Sequence, residues 1–168
     1  MNNIYLIGFM GAGKTTLAHS LAEVLNLNCM DLDQCIEKEE KTTISTLFEK
    51  QGEAYFRDLE VKYLKKTENL KSTIISTGGG IIGYKENRVF LKNQLSIYLD
   101  WPFDVLYTRI AGDKERPLSK SYDQLKALHK ERLPFYEESS KIHLKCNEET
   151  PYLLVQKTVD ILRKGGYL

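Results

Sequence analysis

The chain has 168 residues, enough for one domain that buries roughly 70% of its unfolded surface. Lys and Arg number 24 against 23 Asp and Glu, and this net charge of +1 argues against a surface built for nucleic acid or an anionic membrane. Cys29, Cys35 and Cys146 are odd in number and lack metal-ligand spacing, so reduced thiols in a cytoplasmic protein are expected. The opening "MNNIYLIGFMG" has no basic segment ahead of its apolar one, and no apolar run approaches membrane-spanning length. Neither secretion nor membrane insertion is expected.

In chain order, short apolar runs at 4–7, 29–32, 73–76, 96–99 and 142–145 read as strands. Longer amphipathic stretches separate them, the pattern of a parallel sheet flanked by helices. After the first strand, "KTTLAHSLAEVL" places Leu17, Leu21, Val24 and Leu25 on one helical face. Residues 44–70 hold two helices broken near Gly52. Residues 111–121, "AGDKERPLSKS", are polar and charged and read as a mobile surface loop. "KSYDQLKALHKERLPFYEES" reads as a helix interrupted at Pro134, and "TPYLLVQKTVDILRK" as a last helix stopped by Gly165 and Gly166. There is no internal repeat or low-complexity tract.

Gly8-Phe9-Met10-Gly11-Ala12-Gly13-Lys14-Thr15 fits G-x-x-x-x-G-K-[ST] and lies between a strand and a helix. Glycines let successive backbone N–H groups turn towards phosphate oxygens, with a helix N-terminus behind them. Lys14 is placed to reach β- and γ-phosphates, and the Thr15 hydroxyl to ligate Mg²⁺. A chain of this length meets the pattern by chance roughly once in a couple of hundred cases, and the strand–loop–helix setting lowers that further. The D-x-x-G and N-K-x-D of GTPases are missing, which leaves kinases of nucleotides or small metabolites.

Asp31 and Asp33 end the second strand candidate. Strand alternation puts them on one side, about 7 Å apart, too far to share a proton and suited to separate tasks. Asp31 could join a Mg²⁺ shell beside Thr15, while Asp33 could orient or deprotonate a hydroxyl. Helix capping by Asp33 is the plainer alternative. In "YFRDLE", Arg57 has Glu53 and Glu60 at intrahelical ion-pair spacing, which reads equally as a solvated face. Phe48, Tyr55 and Phe56 around it suit a guanidinium that grips a carboxylate. Finally, "STGGGII" sets Gly78, Gly79 and Gly80 just past a buried strand. A strand-end turn explains one such glycine better than three.

With the P-loop, D-L-D, F-R-D-L-E, S-T-G-G-G, E-R-P-L-S and E-R-L-P-F-Y-E-E in this order, the whole chain resembles the shikimate kinase family. The resemblance implies an α/β fold: three α/β/α layers around a five-stranded parallel sheet, of the P-loop NTPase type, in one domain. Helices at about 33–62 would bind substrate, and a lid at about 111–121 would close over it. It implies transfer of the ATP γ-phosphate to the 3-hydroxyl of shikimate, on the route to chorismate and the aromatic amino acids. Gly11, Ala12, Gly13, Lys14, Thr15 and Thr16 would then bind ATP, and Thr15 and Asp31 would hold Mg²⁺. Asp33 would be the base and bind shikimate together with Arg57, Gly79, Gly80 and Arg132, with Gly79 and Gly80 seating the ring on bare backbone. Arg116 would be the lid arginine; Phe48 and Phe56 would border the ring, and Glu60 would brace Arg57.

Arg109 either approaches the nucleotide or caps a helix. Ser119 stands where a second apolar lid residue is usual, and no adenine contact is identified. Trp101 is expected to pack at a strand end, and His19, His129 and His143 to have no role beyond surface or helix packing. The expected partners are ATP and shikimate, with no nucleic acid, no membrane and a monomeric state. Gluconate or a nucleoside monophosphate is the competing acceptor, and a catalytically dead nucleotide-binding regulator is the competing class.

Overall fold

The computed structural model describes residues 1–113 and 120–168. The elements run β1 (Ile4–Ile7), α1 (Lys14–Leu25), β2 (Asn28–Asp31), α2 (Leu32–Glu40), α3 (Ile44–Gln51), α4 (Glu53–Lys66), β3 (Thr73–Ser76), α5 (Lys85–Lys92), β4 (Leu95–Asp100), α6 (Phe103–Gly112), α7 (Tyr122–Ser139), β5 (Ile142–Lys145) and α8 (Pro151–Lys164). Short 3₁₀ turns lie at Thr67–Asn69 and Ile81–Gly83.

The five strands form one wholly parallel sheet in the order β2-β3-β1-β4-β5. β1 and β3 are buried at every residue, as continuous apolar runs covered on both faces must be. The order reverses beside β1: the chain goes out through β2 and β3, then crosses to β4. Ligands of open α/β sheets collect beyond the carboxyl ends of strands at such a switch point. The Gly-rich loop after β1 and the triple glycine after β3 therefore open at the same place.

Three details differ from the sequence expectations. Val24 is 60% exposed, because the inner face of α1 is built from Leu17, Ala18, Leu21 and Ala22, two of them alanines that an apolar-stripe reading passes over. α7 continues unbroken through Pro134. The ring sits on the exposed face of the helix, and losing one N–H donor is offset by the packing of the inner face. α6 runs to Gly112, and Ser121 is the N-cap of α7 with a full capping box to Gln124, so both ends of the expected 111–121 loop are ordered helix termini. Residues 114–119 of that loop, including the expected lid residues Arg116 and Ser119, lie outside the described residues.

No helix among the described residues is long and apolar enough to cross a membrane.

Candidate active site

The turn after β1 bends where its glycines allow. Gly11 and Gly13 have φ of 79° and 78°, in the left-handed region that favours glycine. A Cβ on Gly11 would also lie 3.0 Å from the Leu106 carbonyl oxygen, so α6 packs directly on the loop. Gly13 is the N-cap of α1, with no side chain to satisfy the first N–H groups of the helix. Those donors and the positive end of the helix dipole form an anion cradle. Lys14 is mostly buried and donates to the Gly8 and Phe9 carbonyls at 2.7 and 2.9 Å, which folds its ammonium back over the loop.

An open cleft of about 850 Å³ spreads from this cradle. Its walls include Gly11, Gly13, Lys14, Thr15 and Thr16 from the loop, Asp31 and Asp33 from the end of β2, and Gly78 and Gly79 from the end of β3. Asp31 ends its strand and Asp33 already lies in the first turn of α2, so the strand alternation expected for this pair does not apply. The capping role considered for Asp33 falls instead to Asp31, whose Oδ1 accepts from Gln34 N at 3.1 Å. Asp31 Oδ2 accepts from the Thr15 hydroxyl at 2.7 Å, and the Ser76 hydroxyl lies 3.2 Å from the same Thr15 oxygen. Among the described residues, no group of three or more His, Cys, Asp or Glu side chains could enclose a metal. A carboxylate and hydroxyls beside a phosphate cradle are nevertheless the hard-oxygen set that suits Mg²⁺, which takes much of its shell from water and phosphate.

Each of the three glycines after β3 makes room for a different protein group. A Cβ on Gly78 would lie 2.9 Å from Asp33 Oδ1 and 3.2 Å from Glu60 Oε1. One on Gly79 would lie 3.2 Å from the Met10 backbone nitrogen, and one on Gly80 would fall 2.5 Å from the Arg57 Cζ carbon. Besides any ring seated on this backbone, protein groups therefore need the space that side chains at 78–80 would fill. Asp33 and Glu60, the P-loop and the Arg57 guanidinium all approach it closely.

Arg57 itself bridges Glu60 and, at 3.4 Å, Glu53, and its guanidinium carbon lies 5.9 and 5.4 Å from the ring centroids of Phe48 and Phe56. The solvated-face reading of Arg57 fails, since its side chain is 13% exposed. Arg132, on α7, lies against Phe9 and close enough to Glu60 to act on its charge. Glu60 is 1% exposed, and its Oε1 has no hydrogen-bond partner among the described residues. Burial pushes its carboxyl up to about 7, against the opposing pull of Arg57.

That shift has a thermodynamic signature. Between about pH 4.5 and 7 the folded protein holds a proton on Glu60 that the unfolded chain has released, a difference of about 3 kcal/mol at full extent. The contribution is complete below pH 4.5 and lost as pH rises through 7. His129, lowered by burial, has the opposite sign and gives stability above its usual 6.5 that is lost as pH falls. Comparison with Glu60→Gln separates the two. The melting temperature of the native protein, relative to the variant, should fall by about 5 °C from pH 5.5 to pH 8. A gap that stays constant would show that Glu60 is ionised throughout.

A second recess of about 250 Å³ adjoins the other side of the cradle, lined by Gly11, Gly13, Thr16, Trp101, Arg109 and Pro151 among others. Arg109 donates to Gly11 O at 3.1 Å and lies 4.1 Å over the Trp101 ring, so it faces the loop rather than capping its own helix. Trp101 packs just past β4 as expected, and also donates its indole N–H to Ala12 O at 3.0 Å. Glu149, from the loop before α8, and Pro151, the first residue of α8, were not singled out by the sequence. His143, expected to be idle, pairs with Asp100 at 2.6 Å.

The comparisons agree with this geometry. The family model described as shikimate kinase matches residues 10–163. The chain is 39% identical over 165 residues to the shikimate kinase of Persephonella marina, covering 97% of this chain and 100% of that protein. The solved shikimate kinase of Acinetobacter baumannii, in complex with shikimate, superposes with a TM-score of 0.91 at 37% identity, covering 98% of this chain and 94% of that one. The Aquifex aeolicus shikimate kinase structure gives 0.86 at 37% identity, with 98% of both chains covered. By sequence, by fold and by the loops that meet at its switch point, the chain belongs to the shikimate kinase family.

Proposed function

We propose that this chain transfers the γ-phosphate of ATP to the 3-hydroxyl of shikimate, giving shikimate 3-phosphate and ADP. The observation that carries the reading is the seam at Gly79. The P-loop backbone runs so close there that a Cβ on Gly79 would lie 3.2 Å from the Met10 nitrogen, so an acid seated beside Arg57 lies next to the phosphate cradle.

Gly11, Ala12, Gly13, Lys14, Thr15 and Thr16 bind the triphosphate, with the amides and the Lys14 ammonium facing charge that spreads over the equatorial oxygens during transfer. Thr15 and Asp31 would hold Mg²⁺, which when bound supplies further positive charge beside the phosphates. Arg57 and Arg132 grip the shikimate carboxylate, and fixing that end aims the 3-hydroxyl at Asp33. Asp33 takes the hydroxyl proton as the new O–P bond forms. Gly79 and Gly80 border the ring, Phe48 and Phe56 hold the Arg57 fork from behind, and Glu60 fixes its rotamer. Arg109 and the recess beside Trp101 receive the base. The Arg116 assignment rests on the family resemblance. Three free thiols accord with a cytoplasmic enzyme.

A coupled ADP-release assay with shikimate, gluconate and AMP tests the reading. Turnover with shikimate alone is expected. Turnover with gluconate or AMP in its place would overturn the acceptor assignment, and ATP binding without turnover on any acceptor would revive the regulator.

A further inference from the structure

We infer that Tyr136 is a positioning residue for the acid acceptor, tying Arg132 to the triple-glycine wall through its hydroxyl. The inference rests on the shikimate reading above.

Tyr136 and Arg132 are four residues apart on α7, so they share one helix face. That face points inward and continues through His129 and Ser139, with Pro134 outside it. Tyr136 is fully buried, and its hydroxyl donates to the Gly79 carbonyl. Arg132 is its neighbour in both charge and hydrogen bonding, and Arg57 and Glu60 act on the same oxygen. A phenol oxygen can donate one hydrogen bond while accepting another. Here the donated one goes to Gly79, which leaves the oxygen able to accept from the nearby Arg132 guanidinium, a group that has only donors to offer.

Two features fix the phenol in place. Its ring stacks on Tyr98 of β4, with centroids 5.1 Å apart and planes 21° from parallel. The Tyr98 hydroxyl in turn donates to Asp100 at 3.3 Å. The hydroxyl is thus held by the sheet rather than by a mobile surface chain. Pinning one guanidinium edge leaves the rest of the fork directed towards the substrate carboxylate, and the Gly79 carbonyl is held where the ring is to lie. Neither the acid nor the reacting hydroxyl need touch Tyr136.

The test is Tyr136→Phe, which keeps the ring and its stack and removes only the oxygen. Wild-type turnover of shikimate is measured first. Absence of turnover would overturn the substrate reading and this inference together. In an active enzyme, the variant should raise the shikimate KM about tenfold, with the ATP KM within about twofold. Ser139→Ala, which removes a buried hydroxyl that has no hydrogen-bond partner among the described residues, one turn further along α7, should change neither. In an Arg132→Gln background, Tyr136→Phe should cost less than about twofold more, because both changes remove one linked interaction. An unchanged shikimate KM, equal rises for both substrates, or a full tenfold loss in the Arg132→Gln background would overturn the role of Tyr136 alone.

Discussion

Asp33→Asn should lower kcat with shikimate by about 10³-fold while the ATP dissociation constant stays within about twofold. Asp33 sits in the first turn of α2, on the wall of the phosphate cleft and against Gly78. Asn keeps its size and its place but cannot take a proton from the attacking hydroxyl. The helix start survives the change, because Asp31 and not Asp33 accepts from Gln34 N. The loss should therefore appear in turnover and not in folding. Pre-steady-state mixing with a fluorescent ATP analogue separates binding from chemistry. A variant with near-normal kcat would remove Asp33 from the proton transfer and leave it a surface carboxylate of the cleft.

Gly80→Ala should raise the shikimate KM on the order of 10²-fold, with little effect on the ATP KM. Gly80 has φ of −95°, which alanine adopts without strain, so the backbone does not resist the change. The new methyl would fall 2.5 Å from Arg57 Cζ, and the guanidinium is the part that gives way. Displaced from between Glu60 and the two phenylalanines, the fork loses its aim at a carboxylate. Gly79→Ala should behave differently. Its Cβ would press on the Met10 backbone nitrogen at 3.2 Å, so the KM values for shikimate and ATP should rise together. Calorimetric titration of each ligand into both variants checks the contrast. Equal behaviour of the two variants would mean that the wall acts as a flexible turn and not as a set of fitted contacts.

Which parts of this were legible in the sequence follows from the range of the interactions. The cradle is local: one strand, eight residues and a helix start carry it, and the glycines required at Gly11 and Gly13 are visible as letters. The buried strands are also local, since a parallel sheet covered on both faces needs uninterrupted apolar runs. Three of the five, β1, β3 and β5, have the bounds read from the sequence, and β2 and β4 differ by one residue at each end. α5 and α6 are short and follow turns, and so left no clear periodic signal. At Asp31-Leu32-Asp33 the strand stops one residue early, which changes the geometry from pleat to helix. The partners of the triple glycine come from α2, α4 and the P-loop, and the donor to its carbonyl lies 57 residues away at Tyr136. Contacts of that kind have no spacing rule. The motif showed that side chains were unwelcome at 78–80, and only the fold shows what fills the space.

The measurement closest to the central claim is the product itself. Shikimate and ATP incubated with the protein, followed by proton–phosphorus correlation NMR, would locate the new ester. A single phosphate coupled to the proton on carbon 3, with its yield abolished by Arg57→Ala and retained at saturating shikimate in Arg57→Lys, is the expected result. Phosphate on another hydroxyl, or undiminished product from Arg57→Ala, would contradict the account of how the acceptor is held.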